Sequence, residues 1–130
     1  MSYDIEVKSD EDRSESLPIA RLREVIADMT GFTESGPESF TFESGNLWMG
    51  LDCELMNAEG DSIGTTPLTT FNTVSVHIPY GYLGNRPERH YFPLIHRIAA
   101  ELGWVTEDLQ TGEELSDPSG ASSRPWWKFW

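Results

Sequence analysis

The sequence holds a single cysteine, Cys53, in 130 residues. One thiol cannot close an internal disulfide, and it rules out a multi-thiolate zinc site. Cys53 lies in the alternating apolar run Leu47, Met49, Leu51, Cys53, Leu55, so a buried side chain is expected. Basic residues are scarce as well: nine Lys and Arg face twenty-two Asp and Glu, for a net charge of −13. A chain so acidic repels nucleic acid and anionic membranes and favours a basic protein partner. No apolar run approaches the roughly 20 residues needed to cross a bilayer. The opening Met1-Ser2-Tyr3-Asp4 lacks the basic and then apolar pattern of a secretory signal, which predicts a cytoplasmic location without membrane contact.

Catalytic patterns are missing too. The histidines His77, His90 and His96 form no i, i+4 metal pair, and there is no G-x-S-x-G, phosphate-binding glycine loop or G-x-G-x-x-G. No metal, cofactor or catalytic residue is therefore expected. Asp52 and Glu54, two apart on a strand, share one face, and with His77 they are the residues to inspect if acid-base chemistry were present.

What remains is the pattern of a small folded domain. Tyr3, Ile5 and Val7 alternate with charged residues as in a strand with one buried face. Leu22, Val25, Ile26 and Met29 recur at helical spacing, which predicts a first helix over about 17–30, capped by Ser16, with Pro18 in its first turn and Gly31 as its stop. Period-two patterns follow: Phe40 and Phe42, a turn at Ser44-Gly45-Asn46, Leu47 to Leu55, and then Phe71 to Tyr80 after a loop. Tyr91, Leu94, Ile95, Ile98, Ala99 and Leu102 mark a second helix, with Pro93 near its start and Gly103 at its end, and Trp104-Val105-Thr106 suits a short edge strand. The order β-α-β-β-β-α, with a final β, predicts an α+β fold. It consists of a mainly antiparallel sheet of four to five strands with both helices on one face, a ferredoxin-like layout. A single domain is expected over residues 1–112, then a polar linker over 113–123 and an aromatic tail over 124–130.

Charge follows the same division. From Gly31 to Asn85 there are seven acids (Glu34, Glu38, Glu43, Asp52, Glu54, Glu59, Asp61) and no Lys or Arg. A two-layer fold leaves one sheet face open, and alternation puts Trp48, Gly50, Asp52, Glu54 and Met56 on it, with Asp4, Glu6, Thr41, Glu43, Thr73, Ser75 and His77 beside them. Carboxylates around Trp48 and Met56 suit a basic protein, with aromatic anchors for affinity and charge for steering; Trp48, Asp52, Glu54, Met56, Glu43 and His77 are the candidate contacts. A plain solvated face, with acidity serving solubility alone, accounts for the same pattern. The C-terminus is different: four of the last five residues, Trp126, Trp127, Phe129 and Trp130, are aromatic. Apolar surface of that size seeks cover on its own domain, across a homodimer, on a partner or in a membrane interface.

The segment Ile98 to Gly112, with Leu102-Gly103-Trp104 followed by Asp108-Leu109-Gln110-Thr111-Gly112, and the opening Ser2-Tyr3-Asp4-Ile5, resembles small acidic bacterial immunity proteins of polymorphic toxin and contact-dependent inhibition systems. That resemblance implies neutralisation of a toxin by binding, and transfers no functional residue. Two other classes remain open: a small-ligand-sensing or regulatory domain, and a structural or phage-type protein that oligomerises through its tail.

Overall fold

The computed structural model describes residues 2–64, 68–84 and 87–114, with the backbone alone at residue 88. Among these residues, eight strands and four helices follow in the order β1 (Ser2–Lys8), β2 (Leu17–Pro18), α1 (Ile19–Ala27), β3 (Phe32–Gly36), β4 (Ser39–Ser44), β5 (Leu47–Glu54), β6 (Thr70–Phe71), β7 (Thr73–Pro79), α2 (Tyr80–Leu83), α3 (Pro87–His90), α4 (Phe92–Leu102) and β8 (Val105–Asp108). Six strands form one sheet in the order β3-β4-β5-β7-β1-β8, and every neighbouring pair is antiparallel. The architecture is α+β, as the alternating patterns predict. The sheet is wider than four to five strands because the exposed, weakly patterned Phe32–Gly36 pairs with β4 and lengthens the hairpin into a meander. Within it, β8-β1-β7-β5, with α1 after β1 and α4 between β7 and β8, keeps the all-antiparallel strand order of a ferredoxin-like layout, and β4 and β3 extend it at one edge.

One face of this sheet carries the core. Ile5 and Val7 of β1, Phe40 and Phe42 of β4, Met49, Leu51 and Cys53 of β5, and Val74, Val76 and Ile78 of β7 meet Leu22, Val25 and Ile26 of α1 and Phe92, Ile95, Ile98 and Ala99 of α4. Burial of such side chains at about 1.5–3 kcal/mol each is the main force that holds the layers together. Tyr3 is only half-buried, its ring 6.0 Å from that of Phe92.

The first helix begins later than expected. Leu17 and Pro18 pair with Phe71 and Thr70 as a two-residue ladder, Ile19 N–H bonds to the Thr69 carbonyl at 3.1 Å, and no side chain caps the helix. Ser16 is exposed and caps nothing because Pro18, in extended geometry (ψ 147°), holds the chain in the small sheet up to the first helical residue. The helix then ends at Ala27.

The second helix follows its apolar stripe closely. Pro93 sits in the first turn, where a missing N–H costs nothing, and Gly103 ends the helix with φ 73°. Gly103 N–H bonds to Ala100 O at 3.1 Å and Trp104 N–H to Ala99 O at 2.8 Å, a Schellman stop that only a residue at ease in the left-handed region makes without strain. It turns Trp104 onto Phe71, with ring centroids 5.0 Å apart, so Trp104 belongs to the core and the edge strand starts at Val105.

Beyond β8, the Asp108-Leu109-Gln110-Thr111-Gly112 segment latches onto β1. The Asp108 carboxylate accepts hydrogen bonds from the Tyr3 hydroxyl, from Gln110 N–H at 2.9 Å and from Gln110 Nε2 at 2.8 Å. Gln110 also clasps the Asp4 backbone, its Oε1 accepting from Asp4 N–H at 2.7 Å and its Nε2 donating to Asp4 O at 2.8 Å. Gly112 N–H returns to Asp108 O at 2.7 Å, and Glu113 forms a bridge with Asp108. The two segments that carry the sequence resemblance are thus the two halves of one structural clasp. The remaining linker from residue 115 and the tail residues Trp126, Trp127, Phe129 and Trp130 lie outside the described residues.

Candidate protein-binding surface

Cross-strand register sets out the open face. One row runs Ser39, Asp52, Ser75, Glu6, Glu107; the next runs Thr41, Gly50, His77, Asp4; beside them Glu43 faces Trp48, and Glu54, Thr73, Lys8 and Val105 make a fourth row. The face divides into two chemically different halves.

Over β1 and β8, Arg13 and Lys8 pair with carboxylates. Arg13, on the loop between β1 and β2, folds back so that its guanidinium donates to Glu6 Oε1 at 2.5 Å and to Thr73 Oγ1 at 3.1 Å. Glu6 and Thr73 are buried beneath it, not displayed as alternation alone predicts. Lys8, equally buried, donates to Glu107 at 2.6 Å and Glu11 at 3.4 Å. Burial acts to lower the Lys8 ammonium pKa, yet the hydrogen bond and charge of Glu107, with Glu11 behind it, leave it above its ordinary value. Glu6 and Glu107 are thus paired with cations from within, whereas the Asp4 carboxylate accepts from the Ser2 hydroxyl at 2.8 Å.

Over β4 and β5 the acids have no such partners among the described residues. Of the seven acids between Gly31 and Asn85, Glu34 alone receives an arginine from those residues, a two-pronged contact from Arg23 at 2.8 and 3.0 Å that raises the guanidinium pKa and holds the carboxyl below its usual range. Asp52 accepts from Ser39 Oγ at 2.6 Å, Glu54 from the Ser75 hydroxyl, and Glu38 from Leu68 N–H at 2.8 Å, so these carboxylates are oriented by neutral donors that leave their charge intact. Glu43 is exposed beside Trp48.

Trp48 is half-buried at this end. Its indole lies 5.5 Å from the His77 ring and 6.2 Å from that of Tyr82. His77 Nδ1 is 3.9 Å from Asp52 Oδ2, an ion pair only when the imidazole is protonated. Gly50 allows this arrangement: a Cβ there would come within 2.3 Å of the His77 ring, which lies directly on the β5 backbone. Below, the buried Tyr91 hydroxyl accepts from Trp48 N–H at 3.2 Å and donates to the Tyr82 carbonyl at 2.5 Å, which ties β5 to α2.

Of the six expected contacts, Trp48, Asp52, Glu54, Glu43 and His77 do stand on one side of the sheet. Met56 does not. The Asn72 side chain captures both its N–H (2.9 Å) and its carbonyl (2.8 Å) just beyond the end of β5 at Glu54, and Met56 is buried, 8% exposed, apart from the main core cluster. Period two cannot be extended past the end of a strand. Tyr82 and Tyr80, each 47% exposed, were hidden in a strand end and a Gly-rich loop; a Tyr-Gly-Tyr next to a strand rich in open-face residues was the available signal.

A shallow cleft of about 250 Å³ opens between this half and the loop after β5, lined by Glu38, Ser39, Asp52, Cys53, Glu54, Ser62, Gly64 and Leu68. Burial, helped by the charges of Asp52 and Glu38, pushes the Cys53 thiol up to about 12, which keeps it protonated and unreactive. Among the described residues no three of His, Cys, Asp and Glu are grouped so as to hold a metal ion. No helix there is long and apolar enough to cross a membrane. No family model, curated protein or solved structure matches the chain.

Proposed function

We propose that this chain is a non-catalytic cytoplasmic binding protein that neutralises a basic bacterial toxin, an immunity protein, and that it engages its partner through the β4-β5 half of the open sheet face. One observation carries this reading: the chain spends its bases Arg13 and Lys8 on one half of the face and leaves the other half acidic around an aromatic centre. Acidity that served solubility alone has no reason to gather beside Trp48, His77 and Tyr82. Unpaired carboxylates at a rim steer a basic partner into contact, and aromatic rings at the centre supply the buried area that holds it. The sequence resemblance supports the choice of toxin neutralisation among binding roles. The clasp that carries it lies at the β1-β8 edge and leaves the β4-β5 half free.

The test uses the protein encoded beside this one. Expressed alone, that neighbour should arrest growth, and co-expression with this chain should restore it. Protection should weaken with Asp52→Asn combined with Glu54→Gln, variants whose amide oxygens still accept from Ser39 and Ser75. A harmless neighbour, or full protection by the double variant, would overturn the proposal.

A further inference from the structure

The aromatic centre of the acidic half has a particular shape. Trp48 touches His77 and Tyr82 at centroid separations of 5.5 and 6.2 Å, tilted by 55° and 41°. Rings in mutual contact leave no slot between them, so a trimethylammonium group, which needs aromatic walls standing apart, has nowhere to enter. What the cluster offers is an outer shelf. Tyr82 supplies an exposed edge, Glu43 is the directly opposed cross-strand neighbour of Trp48, and Asp52 borders the far side of His77. Side chains of opposed residues lie within about 5.5 Å at their Cβ atoms, so a group resting on the indole is within reach of the Glu43 carboxylate.

We infer that this shelf receives an arginine of the protein partner, its guanidinium stacked on the Trp48-Tyr82 surface and hydrogen-bonded to Glu43. The inference rests on the β4-β5 half being the partner-binding surface and adds the chemical group that the surface selects. Charge complementarity chooses a cation, since among the described residues no Lys or Arg pairs with Glu43, Asp52 or Glu54. Shape chooses arginine over lysine. A guanidinium is planar, weakly hydrated and forked, so it can lie flat on a ring and meet a carboxylate in one pose, whereas an ammonium keeps its water and acts as a point charge. Gly50 is the positioning residue, because only a bare Cα lets the His77 ring settle on β5 and brace the indole from the side.

Hexa-arginine and hexa-lysine peptides, titrated at low ionic strength into the ¹⁵N-labelled full chain, test this. The indole N–H signal of Trp48 is identified by its loss in Trp48→Phe. The arginine peptide should move that signal and bind about two- to fivefold more tightly than the lysine peptide, the range expected for an exposed cation-π contact. Trp48→Ala should reduce the arginine peptide to the affinity of the lysine peptide. Gly50→Ala, which keeps Trp48 and the strand but displaces the imidazole, should narrow the preference with an unchanged circular dichroism spectrum. Equal binding of the two peptides, or a preference that survives Trp48→Ala, overturns the arginine shelf while the acidic surface stands. If neither peptide perturbs β4 or β5 at low salt, the reading of that surface fails with it.

Discussion

Asp108 is the residue on which the clasp between the C-terminal segment and β1 depends, and its removal has a calculable effect. It is 7% exposed and accepts from Tyr3, from Gln110 N–H and from Gln110 Nε2. In Asp108→Ala, Gln110 lies at the surface and turns to water, whereas the half-buried Tyr3 hydroxyl loses its acceptor, and the turn closed on Asp108 loses its side-chain anchor. A buried donor left unsatisfied costs about 1–3 kcal/mol, and the lost bonds to a charged group bring the total to roughly 2–3 kcal/mol. For a domain of this size that corresponds to a fall in Tm of about 8–12 °C. Tyr3→Phe, which removes a single hydroxyl, should cost about 1 kcal/mol. Because both changes break the same bond, the double variant should be less destabilised than the sum of the two by about 1 kcal/mol. Urea unfolding followed by circular dichroism supplies the cycle. Alkali adds an independent check. Burial, and then the hydrogen bond and charge of Asp108, hold the Tyr3 phenol above its ordinary value of 10.0, so the folded chain keeps a proton that the unfolded chain releases. The stabilisation is present below that pH and is lost as the pH rises above it, and Tyr3→Phe should remove this part of the decline. An Asp108→Ala variant within about 0.5 kcal/mol of the parent, or strictly additive effects, would refute the clasp as a stabilising element.

Three further outcomes follow from the same contacts. Cys53, with its thiol pushed up to about 12 from 9.0, should resist alkylation in the native protein at pH 8 and react at the rate of global unfolding, and its contribution to stability should fade between pH 9.0 and 12. Labelling as fast as that of a free thiol would contradict its burial. Arg13→Ala strands Glu6 in a buried site and should cost about 3–5 kcal/mol by chemical denaturation, while the paired change Arg13→Met with Glu6→Gln should recover much of that loss. Asn72→Ala leaves the Met56 N–H and carbonyl without partners and should destabilise by about 2–4 kcal/mol, with faster amide exchange at residues 55–57.

How far the sequence anticipates all this depends on how local each cause is. The stripe from Tyr91 to Leu102, with proline in the first turn and glycine at the stop, contains its own boundary signals, and the helix follows them. The hairpin of β4 and β5 is equally local, because alternation and a Ser-Gly-Asn turn suffice. Where the reading departs from the structure, a distant partner intervenes. Ser16 fails to cap because Thr70 and Phe71 draw Leu17 and Pro18 into a ladder, and Met56 is buried and not displayed where Asn72, sixteen residues on, takes its backbone. Phe32–Gly36 has no clear alternation, yet β4 presents a free edge for it to pair with. For the candidate surface, period two brings Trp48, Asp52, Glu54, Glu43 and His77 to one side. It cannot reveal that Arg13 covers Glu6, so that cations meet the carboxylates on one half of the face and not on the other.

That division is the central claim, and association kinetics test it most directly. With the purified product of the adjacent gene as partner, stopped-flow rate constants would be compared across ionic strength for the parent chain, for Asp52→Asn with Glu54→Gln, and for a control, Asp12→Asn with Glu15→Gln, which removes the same charge from the exposed loop that leads away from β1. Steering by the β4-β5 half predicts that only the first pair slows association at low salt and flattens its salt dependence, with the rates converging as salt screens the charges. Equal slowing by the two pairs would mean that net charge alone attracts the partner, and an unchanged rate for Asp52→Asn with Glu54→Gln would place the interface elsewhere.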